Sequence, residues 1–364
     1  MLRMIRTRSR LAIAGGGACL ILAATAFGAL STGSAVAKGK CLKVALEFKL
    51  QGLAVFTANT QGANMVAAKY GICHPQAYGG PATASATGQV TDVQADVKAG
   101  YKVIAFTSDD PTVPAPALQA AMKAGVKVIT FDSDVPSART VFIQDTAYNT
   151  IGQSLIDAAV KFAGATSTIG IMSSTPTATI QLAWIGAMKA YVAKKYPQLN
   201  GGSFGNIIGY GQSDPAISLT QATAMIHANP TLKAIIPIDS AAIVGTAGAI
   251  TNTGNAGKIG DFGIGPPKEA AQYFQNGSMQ GLFLWNELGQ GMLIDCMAAG
   301  IVAGTIKAGS TFTCPYGPKG SYVNGPAKWT WVTKPNAVTG ATKNTVIFSK
   351  PLEFTPSNYT QYNF

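Results

Sequence analysis

The sequence predicts an α/β protein of two similar halves, each a parallel, doubly wound sheet, and three observations carry that expectation. Short β-branched runs alternate strictly with longer helical stretches. Several of those helices end on glycine directly before an apolar run, the C-cap of an αβ junction. The alternation then restarts after residue 145. With 364 residues, 47% hydrophobic and 12% charged, the chain can bury two cores and is too apolar for disorder.

Residues 42–48 (LKVALEF) read as a strand, and 53–70 as a helix closed by Gly71. A second strand covers 72–78. Helix 89–99 stops at Gly100 before the buried strand 102–107 (KVIAFT). Helix 115–124 stops at Gly125 before strand 126–131 (VKVITF), and a short strand at 141–144 ends the first half. In the second half, helices 151–162, 181–194, 219–228, 243–250 and 268–274 alternate with strands 169–173, 206–210, 234–238, 259–264 and 281–285. A further helix, 290–304, carries Cys296. Beyond Thr311, turn residues (Pro315, Gly317, Pro318, Gly320) and β-type pieces at 328–332 and 345–348 read as a tail that crosses the junction. The expected division is a leader over 1–37, a first lobe of 41–145 with 287–310, and a second lobe of 146–286 with 311–364.

The formal net charge of +11 suggests nucleic acid until its location is considered. Arg3, Arg6, Arg8 and Arg10 precede an apolar run over 11–30, and small residues follow, ending in Ala35-Val36-Ala37. That is the pattern of a secretory signal peptide cleaved after Ala37, and it places the protein in the periplasm. Removing it takes away four arginines and leaves +7, spread with no basic block, so no nucleic-acid partner is expected. Cys19 leaves with the leader. Cys41, Cys73, Cys296 and Cys314 remain, an even number for an oxidising compartment. Three pairings are possible. Since consecutive parallel strands usually neighbour one another, Cys41–Cys73 and Cys296–Cys314 are expected.

In open α/β sheets, ligands bind beyond the carboxyl ends of the strands. Lys49 closes the first strand; Asp109 and Asp110 follow the third, Asp132 and Asp134 the fourth. In the second half, Gln181, Asp239, Asn286 and Glu287 lie past strand ends, accompanied by Phe56, Phe131, Trp184 and Trp285. Carboxylates, amides and a lysine among aromatic faces suit a polyhydroxylated ligand, because hydroxyls demand dense hydrogen bonding and sugar C–H faces pack on rings. Plainer roles compete: Asp132, Asp109 and Asp110 as turn residues, Asp239 as a helix cap, Trp184 as core. No nucleophile elbow, zincin motif or phosphate loop occurs, and His74 and His227 read as structural. No catalysis, metal or cofactor is expected.

The chain resembles the periplasmic binding proteins of ribose-type ABC importers, nearest their autoinducer-2/rhamnose-binding, Lsr-type branch. The resemblance rests on Phe48-Lys49-Leu50 with Phe56-Thr57, Thr130-Phe131-Asp132-Ser133-Asp134, Ser174-Thr175-Pro176-Thr177, Leu284-Trp285-Asn286 with Gln290-Gly291, and the tail Val346-Ile347-Phe348 to Tyr362-Asn363-Phe364. It implies two Rossmann-like lobes joined by a multi-crossing hinge, with a ligand cleft between them, and a monomer that delivers a small sugar or polyol to a membrane permease. A sensor that reports its ligand, autoinducer-2-like or sugar, to a chemoreceptor or kinase is the alternative. Position by position, it implies a ligand lysine at Lys49 and a ligand aspartate at Asp132. The branch's Asp-Gln pair falls on Ile180-Gln181 and its Pro-Asp-Ala on Ile238-Asp239-Ser240. The aspartate after its strand-end tryptophan falls on Asn286, so two carboxylates of the pattern are absent here. The expected ligand contacts are therefore Lys49, Asp132 and Asp239 as anchors, Gln181, Ser240 and Asn286 as hydrogen-bonding partners, and Phe131 and Trp285 as packing faces.

Overall fold

The computed structural model describes residues 41–73, 77–314 and 328–362. The proposed leader, His74, the Pro/Gly turn residues after Cys314 and the last two residues lie outside the described residues. The chain runs β1 (Val44–Glu47), α1 (Ala54–Val66), β2 (Ala77–Gly79), α2 (Ala86–Ala99), β3 (Val103–Phe106), α3 (Ala115–Lys123), β4 (Lys127–Phe131) and β5 (Val141–Gln144). It continues with α4 (Tyr148–Ala163), β6 (Thr168–Ser173), α5 (Thr179–Lys195), β7 (Ile208–Tyr210), α6 (Pro215–Ala228), β8 (Leu232–Pro237), α7 (Ser240–Asn252), β9 (Gly260–Ile264), α8 (Ala271–Asn276) and β10 (Gly281–Leu284). Then come α9 (Glu287–Val302), β11 (Thr311–Thr313), β12 (Lys328–Thr330), β13 (Thr345–Ile347) and β14 (Leu352–Phe354).

Two six-stranded sheets result, ordered β13-β5-β4-β3-β1-β2 and β14-β10-β9-β8-β6-β7. Within these two sheets every pairing is parallel except that of β14 with β10, and β11 and β12 form a separate antiparallel pair. β1, β3 and β5 are buried throughout, as a sheet covered by helices on both faces requires. Gly71 and Gly100 end their helical segments in the left-handed region, at φ 64° and 82°, where a side chain is disfavoured.

The backbone passes between the sheets at 145–147, at 285–286 and at 348–351. Residues 345–347, grouped by sequence with the second half, pair with β5 in the first sheet, and 352–354 close the second. Two of the passages are tied together: Phe348 N–H donates to the Gln144 carbonyl at 2.7 Å and Ser349 N–H to the Asp145 carbonyl at 3.1 Å. The cysteines pair as Cys41–Cys73 and Cys296–Cys314, with Cα separations of 4.9 and 5.9 Å. The first pins the start of β1 to the segment that enters β2, beside the parallel bridge of Leu42 with Ile72.

α9 returns to the first sheet and lies against α1 at backbone contact. A Cβ at Gly62 would overlap the Leu288 carbonyl oxygen, and one at Gly291 the Asn59 carbonyl oxygen. Gly291→Ala is therefore expected to lower the unfolding free energy by about 1–3 kcal/mol in a denaturant titration. An unchanged midpoint would contradict the close approach.

On β1, Glu47 faces Asp96 of α2, with Asp92 nearby. Burial first, then the neighbouring Asp96, pushes Glu47 up to about 9; burial likewise lifts Asp96 to about 6. Folded pKa values raised in this way give stability that is complete below the unfolded carboxyl range and lost as pH rises through the folded values. The protein should thus resist denaturant better at pH 5 than at pH 9, and Glu47→Gln should flatten that loss. A wild-type profile that rises over this interval would contradict the assignment.

Candidate functional site

Both sheets turn the carboxyl ends of their strands toward one pocket. The first sheet reverses strand order between β1 and β3, the second between β6 and β8, and loops leaving such points diverge to form a crevice.

From the first half, Lys49 lies two residues past β1 and is 5% exposed. Its ammonium meets Asp132 Oδ2 at 2.6 Å, and the Thr107 hydroxyl, just past β3, donates to the same oxygen at 2.6 Å. Asp132 follows β4 directly and takes φ +53°, a left-handed conformation that Asp tolerates better than most side chains. Burial alone would pull the Lys49 ammonium down. Asp132, with Asp239 and Asp109 farther off, more than offsets this and holds it above the ordinary lysine range.

From the second half comes Asp239, the N-cap of α7. Its Oδ1 accepts from Ala241 N–H at 3.1 Å and Ala242 N–H at 3.2 Å, while Oδ2 accepts from the Ser213 hydroxyl at 2.9 Å. Capping and pocket lining are thus combined in one carboxylate. Burial pushes its carboxyl up, against the pull of Lys49 and the Ser213 hydrogen bond. Ser240 follows at the wall. Gln181, in the first turn of α5, donates to the Ile238 carbonyl at 3.5 Å, and Trp184 stands one turn farther on the same face. The Trp184 and Trp285 rings lie 5.8 Å apart, tilted by 49°.

Lys49, Asp132, Gln181, Asp239, Ser240 and Trp285 are thus brought together, whereas Phe131 and Asn286 do not line the pocket. Phe131 ends β4 with its ring wholly buried and meets Phe48 edge-on at 6.0 Å. Phe48 stacks on Phe56 at 4.8 Å, and Phe56 is the ring that reaches the wall. Asn286 caps α9 instead, its Oδ1 accepting from Gly289 N–H at 3.1 Å. Trp184, read as core, is both buried and at the wall. Ile180 is packed in the core.

Asp109 accepts from Ser85 N–H, Asp110 from Thr112 and Val113 N–H, and Asp134 pairs with Arg139 at 2.8 Å; none of them lines the pocket. His227 ends α6 on the surface. Sequence reasoning missed Asn59, Ser213 and Gln290 as wall residues. Asn59 is three residues beyond Phe56 on α1, so the helical repeat was the signal, and Ser213 follows the end of β7. Among the described residues, no group of three His, Cys, Asp or Glu side chains is arranged to hold a metal, and no helix is long and apolar enough to cross a membrane.

A family model described as a periplasmic binding protein domain matches residues 44–305. The chain belongs to this family. Among similar solved structures is an ABC transporter solute-binding protein from Clostridium phytofermentas with bound L-rhamnose. It is 27% identical, with a TM-score of 0.79 over 88% of this chain and 98% of that one. LsrB from Clostridium saccharobutylicum in complex with AI-2 is also 27% identical, with a TM-score of 0.78 over 89% and 100%. A sugar ABC transporter protein from Actinomyces odontolyticus is 26% identical, with a TM-score of 0.65 over 89% and 98%. This periplasmic binding protein thus shares its fold with sugar-binding components of ABC importers, which are solute-binding proteins and not enzymes.

Breaking the buried Lys49–Asp132 pair leaves one charge desolvated and unpaired. Lys49→Met should cost about 3–5 kcal/mol of stability in chemical unfolding. A loss below about 1 kcal/mol would show that the pair is solvated.

Proposed function

We propose that this protein is the exported solute-binding component of an ABC importer, and that it takes a small sugar or polyol between its two halves and delivers it to a membrane permease. The observation that carries this reading is the convergence, in one pocket, of Lys49, Asp132, Gln181, Asp239 and Ser240 with the rings of Phe56, Trp184 and Trp285. Hydroxyls both donate and accept, and this wall offers an ammonium, two carboxylates, an amide and hydroxyls to meet them. The opposed indoles offer faces for the C–H surface of a pyranose or furanose ring.

Lys49 and Asp132 leave the first sheet, while Gln181 and Asp239 leave structure built on the second. A ligand held by all four gains its full set of contacts only when the halves meet, so binding favours the closed arrangement. This chain lacks two carboxylates of the autoinducer-2/rhamnose pattern, at Ile180 and at Asn286, which favours a small sugar or polyol over autoinducer-2. The arginine-rich, apolar segment over 1–37 supplies the export signal in this reading.

Thermal unfolding against a panel of pentoses, deoxyhexoses, polyols and autoinducer-2 tests the proposal. A ligand at a hundred times its Kd should add about 2.7 kcal/mol, a rise of several degrees in Tm. Asp132→Asn should abolish that rise. A panel that leaves Tm unchanged throughout, or a shift produced by autoinducer-2 alone, would overturn the assignment.

A further inference from the structure

The pocket has a second polar group that the ligand set above leaves unused. Glu287, the first residue of α9, follows the passage at 285–286, lines the pocket and is 4% exposed. The Asn59 amide of α1 donates to its Oε2 at 2.7 Å, to its backbone carbonyl at 2.9 Å and to Gln290 Oε1 at 3.1 Å. Gln290 in turn donates to Asp145, at the passage that leaves β5. A hydrogen-bonded chain thus runs from one passage between the sheets to another and ends at a carboxyl in the pocket wall.

Asn59 holds Oε2 of that carboxyl, and the buried Trp285 indole N–H, which has no hydrogen-bond partner among the described residues, lies beside the same carboxyl. Gln181 Oε1, Trp184 Nε1 and Asn59 Oδ1, all on buried side chains that line the same pocket, are likewise without partners. Buried polar atoms are paired in the great majority of cases, so unpaired ones on side chains that line a pocket are groups a bound ligand can pair.

We infer that Glu287 is a specificity-determining ligand contact, which binds one hydroxyl of the sugar through the carboxyl oxygen that Asn59 leaves open. Asn59 is its positioning residue: it fixes the carboxyl from α1, at the point where Gly62 and Gly291 let the two helices touch. Burial, then the neighbouring Asp145 and Asp132 carboxyls, push the Glu287 carboxyl well above its usual range. The neutral acid both donates and accepts, as a sugar hydroxyl does. An ionised Glu287 would add a third carboxylate beside Asp132 and Asp239, against the one ammonium, Lys49, among the described residues of the pocket wall.

The inference rests on the sugar-binding reading, and calorimetric titration of the full chain separates the two. The titrants are the best-bound sugar of the panel and its single-deoxy analogues, added to wild type, Glu287→Leu and Glu287→Gln. Wild type should bind the parent sugar, and Glu287→Leu should weaken that binding at least tenfold. The analogue that lacks the contacted hydroxyl should bind wild type and Glu287→Leu equally, while every other analogue keeps the tenfold difference. Glu287→Gln, isosteric and uncharged, should weaken the parent severalfold with the same single exception, which keeps the test open if leucine prevents folding. A loss spread evenly over all analogues, or no loss in either variant, would overturn the contact while leaving sugar binding intact. Wild type that binds no sugar would overturn the underlying reading, and the contact with it.

Discussion

The buried ion pair between Lys49 and Asp132 sets the terms for everything around it. Taking an ammonium and a carboxylate out of water costs several kcal/mol apiece, and their attraction offsets this only in good geometry with further hydrogen bonds. Here the pair is at 2.6 Å, and the Thr107 hydroxyl supports the carboxylate. The ends of three neighbouring strands, β1, β3 and β4, must therefore stay in register, which the all-parallel pairing of the first sheet provides. Asp132 accepts a left-handed backbone to meet the lysine. Strain of this kind persists where the surroundings over-determine it, and it clusters at binding sites.

The second half answers with a different device. Among the described residues no ammonium is in direct contact with Asp239; a helix N-terminus and a serine hydroxyl hold it. Backbone amides and the helix dipole stabilise a carboxylate without bringing in a second cation. The two halves thus present to one space carboxylates held by different direct contacts, with Lys49 acting on both. The passages between the sheets add a third element, because Gln290 and Asn59 connect Asp145 with Glu287 beside the pocket.

Much of this was legible in the sequence. Strand positions followed from β-branched runs such as KVIAFT and VKVITF, and helix ends from Gly71 and Gly100. Lys49, Asp132 and Asp239 reach the pocket wall from just past apolar strands, whereas Asp109, Asp110 and Asp134, placed likewise in the sequence, do not. Phe131 and Asn286 stand off the pocket wall for a common reason: linear adjacency does not set direction. Phe131 is still inside β4, where its ring joins the core, and Asn is a favoured N-cap, so Asn286 turns to the start of α9. Asn59 and Gln290 escaped because two helices distant in sequence place them together. Strand β14, three residues long, has too few positions for an alternation to register.

In the proposed function a small sugar or polyol is held between the two sheets by the strand-end residues. A crystal structure with the tightest-binding member of the sugar panel should show ligand hydroxyls within hydrogen-bond distance of Asp132 and Asp239 and a ring face against Trp184 or Trp285. A ligand seated instead in the outer groove beside Phe48, Thr60 and Met65, with the Lys49–Asp132 pair untouched, would contradict it.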